Sequence, residues 1–87
     1  MEEKLVFRYD RVGDILYIEK RPPNSLQETQ ELGDDVVARL NPVSGEIEIL
    51  EVLFFSTRLL QENVLTIPVE ARMRRWEHAS SEETPGK

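Results

Sequence analysis

Tyr9-Asp10-Arg11-Val12-Gly13-Asp14-Ile15-Leu16-Tyr17-Ile18 is the stretch whose reading decides the fold. Asp10-Arg11-Val12-Gly13 has turn chemistry: an aspartate carboxylate accepts backbone N–H groups two residues on, and glycine suits the fourth position. Before it, residues 4–10 alternate, with Leu5, Phe7 and Tyr9 on one face and Lys4, Arg8 and Asp10 among the others, the period of a half-buried strand. After it, Ile15 to Ile18 is apolar at every position and has no face to give to water. Both faces of that strand need cover. In so small a chain, helices can supply one side and a second copy the other, which predicts a homodimer with Ile15, Tyr17 and Trp76 at its interface. Tyr9 and Tyr17 read as core or interface aromatics with their phenol tips at a polar rim.

Reading outward, Arg21-Pro22-Pro23-Asn24-Ser25 is a connection, because proline donates no hydrogen bond and turns its predecessor away from helix. Leu26 to Leu32 is polar enough for an exposed edge strand, and Gly33-Asp34 is a hairpin dipeptide. Val36 to Leu40 forms a fourth strand, Asn41-Pro42-Val43-Ser44-Gly45 a turn, and Glu46 to Val52 a fifth strand. Asp10, Gly13, Asp14, Gly33, Asn41 and Gly45 are thus structural turn residues, with the three glycines placed where positive φ carries no Cβ penalty. Ser56 is a candidate N-cap for residues 57–62, Asn63 ends that helix, and Val64 to Ile67 is a short extended segment. Pro68 then opens a last helix over 68–78, with Val69, Met73 and Trp76 as a narrow apolar stripe and Arg72, Arg74 and Arg75 toward its C-terminal end. The expected architecture is α+β: an antiparallel β-meander of about five strands followed by one or two short C-terminal helices. Residues 1–78 form a single small domain and residues 79–87 a disordered acidic/polar tail.

Composition narrows the function. A chain of 87 residues buries only about 60% of the surface its unfolded form exposes. With zero Cys, oligomerisation is the remaining support for a marginal core. The lack of Cys is compatible with a reducing cytosol, and Met1-Glu2-Glu3-Lys4 opens no signal peptide. Val52 to Phe55, matched in length only by Ile15 to Ile18, is an apolar run far short of the roughly 20 residues that span a bilayer. A soluble cytoplasmic protein is expected, with no membrane contact. The net charge of −6 sits in the middle: residues 24–51 hold seven acids against the single base Arg39, while the flanking segments are balanced at five against five. Such a patch repels phosphate backbones and attracts a basic partner.

The motifs also fall in the order of a known family. Tyr9-Asp10, three residues, Asp14-Ile15-Leu16-Tyr17-Ile18, then Gly33-Asp34-Asp35-Val36-Val37 and Gly45-Glu46-Ile47-Glu48-Ile49-Leu50 leading to Ser56, resemble the small prokaryotic domain-of-unknown-function family 2283 over roughly residues 5–60. That family commonly has Asp-Tyr-Asp where this chain has Ala38-Arg39-Leu40-Asn41, and a glycine where it has Glu46. These departures leave the fold intact and argue against an acidic site at the Asn41 turn. The resemblance implies no established activity or catalytic residues. Some members are thought to be encoded beside small toxin-like proteins, which implies a neutralising role for a partner of that kind.

No constellation reads as catalytic. Asp10 and Asp14 flank a hairpin tip without a cleft to perturb a carboxyl pKa, and their spacing does not match a calcium loop. Ser56 with His78, the lone histidine, lacks an oriented imidazole. There is no phosphate-binding glycine loop and no zinc-ligand spacing. No cofactor or metal is expected. The expectation is therefore an uncharacterised, non-enzymatic protein-interaction module, a homodimer whose face at Glu46, Glu48 and Glu51 meets a basic, toxin-like partner. Two alternatives stay open: a small-molecule or metal-ion binding protein or enzyme using the acidic clusters, and weak nucleic-acid binding through Arg72, Arg74, Arg75 and Trp76.

Overall fold

The computed structural model describes residues 4–75. Its strands are β1 (Val6–Asp10), β2 (Ile15–Glu19), β3 (Glu28–Gly33), β4 (Val36–Leu40) and β5 (Ile47–Leu53), and one helix, α1 (Phe55–Gln61), follows them. The strands make a single antiparallel sheet in the order β1-β2-β5-β4-β3. The α+β class is as expected, and the meander is broken once. Residues 20–27 carry the chain from β2 to the far edge, so β5 returns to pair with β2. This order places the apolar β2 and the long β5 inside the sheet and leaves polar β3 at an edge, where unpaired backbone groups meet water.

Register sorts the side chains into two unlike faces. Tyr9, Leu16, Val52 and Val36 stand opposite one another across four strands, and Phe7, Ile18, Leu50 and Ala38 form a parallel row. On the other side, Arg8, Tyr17, Glu51 and Val37 form one row and Val6, Glu19, Ile49 and Arg39 the next. The first is an apolar face and the second a charged one. Along both apolar rows burial is graded: Val52, Val36 and Ala38 are 0% exposed, whereas Tyr9 is 41% and Phe7 62% exposed. No residue of β2 is fully buried, so the cover its sequence calls for is only half supplied within one chain.

The turns follow local chemistry with one exchange of roles. Asp10 Oδ1 accepts the N–H groups of Val12 and Gly13 at 3.1 and 3.2 Å. The positive φ there belongs to Asp14 (57°), not to Gly13 as expected. Gly13 is small because a Cβ would lie 3.0 Å from Asp10 Oδ2 and 3.3 Å from Ile15 Cδ1. The β3–β4 hairpin turns through Asp34 and Asp35 at φ 54° and 60°, the consecutive positive angles of a type I′ loop. At the next turn Asn41 Oδ1 accepts Val43 N–H and Ser44 N–H at 2.8 and 3.1 Å, and Gly45 sits at φ 78°.

Three helical expectations change. Ser56 is not the N-cap of α1: Phe54 holds that position at φ 54°, without a side-chain cap of its own, and Ser56 lies inside the first turn. The helix ends at Gln61 with Glu62, not Asn63, as its C-cap, and Glu62 N–H is bonded to the Arg58 carbonyl at 2.9 Å. The expected helix over 68–78 does not form in its described part, since residues 62–75 contain none, and residues 76–78 lie outside the described residues. The physical reason is the narrow stripe: Met73 is exposed, and a helix of about eleven residues is marginal without a packed face. Trp76 and the segment 79–87 also lie outside the described residues.

Candidate functional site

The densest polar cluster ties the first hairpin to α1 across 42 positions of sequence. Asp14 Oδ1 accepts the Tyr9 hydroxyl at 2.6 Å and Ser56 N–H at 2.9 Å, and Oδ2 accepts the Ser56 hydroxyl at 2.9 Å. The Asp14 carbonyl accepts Phe55 N–H at 3.0 Å, and the Tyr9 ring meets the Phe55 ring edge-on at 5.8 Å. A helix N-terminus carries unpartnered N–H groups, and here a carboxylate from a distant turn supplies the acceptor that Phe54 lacks. The hydrogen bond from Tyr9, then those from Ser56, hold the Asp14 carboxyl below its ordinary range, and the same bond raises the Tyr9 phenol. A carboxylate lowered in this way is a weaker base toward Ser56. The cluster acts as a staple. At its other end α1 is held by the Arg58 guanidinium, which donates to the Asp34 carbonyl, and Leu53 N–H donates to the Asp35 carbonyl at 2.9 Å.

A second cluster surrounds Glu48, a charged side chain only 5% exposed. It accepts Gln27 Nε2 at 2.7 Å and Asn41 Nδ2 at 3.2 Å, with Arg21 Nε at 3.8 Å. The Gln27 and Asn41 hydrogen bonds, with Arg21 nearby, lower its pKa. Its carbonyl accepts Lys20 N–H and Arg21 N–H at 2.9 and 3.4 Å. Glu48 therefore clamps the 20–27 crossover onto the β4–β5 end of the sheet.

This alters the expected acidic face. Glu46 pairs with Lys20 at 3.3 Å, Glu48 is enclosed, and Glu51, largely covered, pairs with Arg39 at 2.8 Å. The three do not form one open acidic surface, because each already has a partner within the chain. Besides the paired Glu46, the exposed acids of the middle segment are Glu28 and Glu31 on β3 and Asp34 and Asp35 in its hairpin. Among the described residues none of these four side chains makes an ion pair.

Ile15 and Tyr17 stand half-buried on the charged face. Arg8 lies with its guanidinium 4.2 Å from the Tyr17 ring centroid and bonds Glu19 at 2.7 Å, the latter bond raising the Arg8 pKa. Arg8, Tyr17, Glu19, Arg39, Ile49 and Glu51 rim a depression of about 110 Å³, and a second, of about 230 Å³, lies beside Asp34 and Arg58. Both fall below the roughly 300 Å³ at which small-molecule pockets begin. Among the described residues no group of three or more His, Cys, Asp or Glu is placed to hold a metal ion, and no helix is long and apolar enough to cross a membrane. Arg72, Arg74 and Arg75 are exposed on an irregular segment, and Trp76 and His78 lie outside the described residues.

The distant members of both clusters escape a reading by residue type. Asp14 and Ser56 each have a local role on paper, and only the return of β5 to β2 brings them together. Gln27 carries no signal at all until the crossover is placed.

The molecule is a small antiparallel-sheet domain, closed at one end by a short helix stapled to two hairpin turns. It belongs to the family described as "Protein of unknown function (DUF2283)", whose model matches residues 7–56, more than half of the chain. That span includes Tyr9, Asp14 and Ser56. No curated protein and no solved structure matches the chain.

Proposed function

We propose that this protein is a non-enzymatic interaction module that works in the cytoplasm as a homodimer and receives a basic, toxin-like protein on the edge formed by β3 and its hairpin. One observation carries the reading: Glu46, Glu48 and Glu51 are engaged internally, while Glu28, Glu31, Asp34 and Asp35 stand exposed along one edge. Acidic residues concentrated along one edge steer a basic partner and speed its encounter, with a strong dependence on salt. The homodimer is supported by the half-covered β2 and by the small number of fully buried apolar side chains described, Val36, Ala38, Ile49 and Val52.

The test is an affinity pulldown from native lysate with wild-type protein and a Glu28→Lys/Glu31→Lys/Asp35→Lys variant, at low and high salt. The expected result is a basic protein retained by the wild type at low salt and lost both on raising the salt and on reversing the charges. Equal capture by both proteins would remove the acidic edge as the binding surface.

A further inference from the structure

We infer that the homodimer forms by antiparallel pairing of β1 with β1 of a second copy about a two-fold axis at Phe7, joining two five-stranded sheets into one. The inference rests on the homodimer reading above and names its surface. β1 is an edge strand, so alternate backbone N–H and C=O groups point away from β2 without a strand to accept them.

The sequence of this edge complements itself. With Phe7 on the axis, Phe7 meets Phe7, Leu5 stands opposite Tyr9, Val6 opposite Arg8, and Lys4 opposite Asp10 of the second copy. Residues directly opposite in an antiparallel pair lie on the same face. Leu5, Phe7 and Tyr9 therefore meet on the apolar face, and the oppositely charged Lys4 and Asp10 meet on the other. Val6 comes against the alkyl stem of Arg8, whose guanidinium is already turned toward Glu19 and Tyr17.

Burial supports the same seam. Exposure along the two apolar rows rises from 0% at Val36, Val52 and Ala38 to 62% at Phe7, so the rows run out at the β1 edge. A second copy continues both rows across the axis and covers their exposed ends. The opposite edge is built differently: β3 holds Glu28 and Glu31 and no base, so pairing it with a second copy gathers four carboxylates without a counter-charge from either strand.

The chain has no cysteine, which makes a register test direct. Light scattering after size exclusion at low micromolar concentration is expected to give twice the 10.1 kDa chain mass for the wild type. Phe7→Lys, which sets two ammonium groups at the axis, is expected to weaken association by roughly 100-fold or more. Its circular dichroism should remain that of the wild type, since Phe7 is already largely exposed. Under mild oxidation Phe7→Cys should cross-link two chains rapidly, and Gln30→Cys on β3 should not.

A wild type with the mass of one chain would overturn both the homodimer and this surface. A wild-type dimer that survives Phe7→Lys, with Phe7→Cys cross-linking no faster than Gln30→Cys, would overturn the β1 seam and leave the homodimer standing on another surface.

Discussion

β1 and β3 occupy equivalent places at the two edges of one sheet, yet they are built for opposite neighbours. β1 and its lead-in carry Leu5, Phe7 and Tyr9 with acids and bases interspersed, whereas β3 and its hairpin carry Glu28, Glu31, Asp34 and Asp35 without a base. The hairpins behind them also hold α1 differently. The β1–β2 turn uses the Asp14 side chain as well as its carbonyl, and the β3–β4 turn uses the Asp34 carbonyl. Exposed edges are usually protected by charge. Here one edge follows that rule and the other departs from it, and the departure marks where a second chain is expected.

The largest expected effect breaks the asymmetry between the hairpins. Asp14→Ala removes the acceptor of Tyr9 and Ser56 at once and should lower Tm by about 10 °C, while Asp34→Ala, which keeps the carbonyl bonded to Arg58, should lower it by no more than about 5 °C. Thermal melts of the two variants decide whether the staple is a side-chain device. Glu48→Ala comes next: it leaves Gln27 and Asn41 without their acceptor and frees the crossover, with an expected fall of about 5–8 °C.

Acid acts on both clusters together. Asp14 and Glu48 are lowered from ordinary values of 3.8 and 4.5 on folding. A depressed carboxyl contributes stability that is present above its unfolded pKa and lost as pH falls through the folded one. Stability should therefore be flat in these two groups from pH 7 down to about 5 and decline below about 4, and the decline should be shallower in Asp14→Asn than in the wild type. Melts across that range check the sign. The smallest effect is at the acidic hairpin. Asp35→Gly relieves a non-glycine residue at φ 60° and should raise stability by up to about 1 kcal/mol.

How much of this was legible in the sequence differs from element to element. The five strands and their turns follow from local signals: alternation through residues 4–10, the Asx chemistry of Asp10 and Asn41, and glycine at Gly33 and Gly45. The lateral order was not legible, because nothing local says that β2 pairs with β5. What depends on that order was hidden with it. The cap on α1 comes from Asp14 rather than Ser56, and Glu48 is enclosed by Gln27 and Asn41 instead of facing a partner. The charge excess of residues 24–51 was plain. Which acids remain open could be read only after Lys20 and Arg39 had found Glu46 and Glu51.

The contrast between the edges can be measured directly by amide hydrogen exchange of β1 and β3 at two protein concentrations, one above and one far below the dissociation constant of the dimer. The outward-pointing amides of Val6–Asp10 are expected to exchange more slowly at the higher concentration while those of Glu28–Gly33 exchange at the same rate in both. Concentration-independent exchange along β1, or protection that appears on β3 instead, would contradict it.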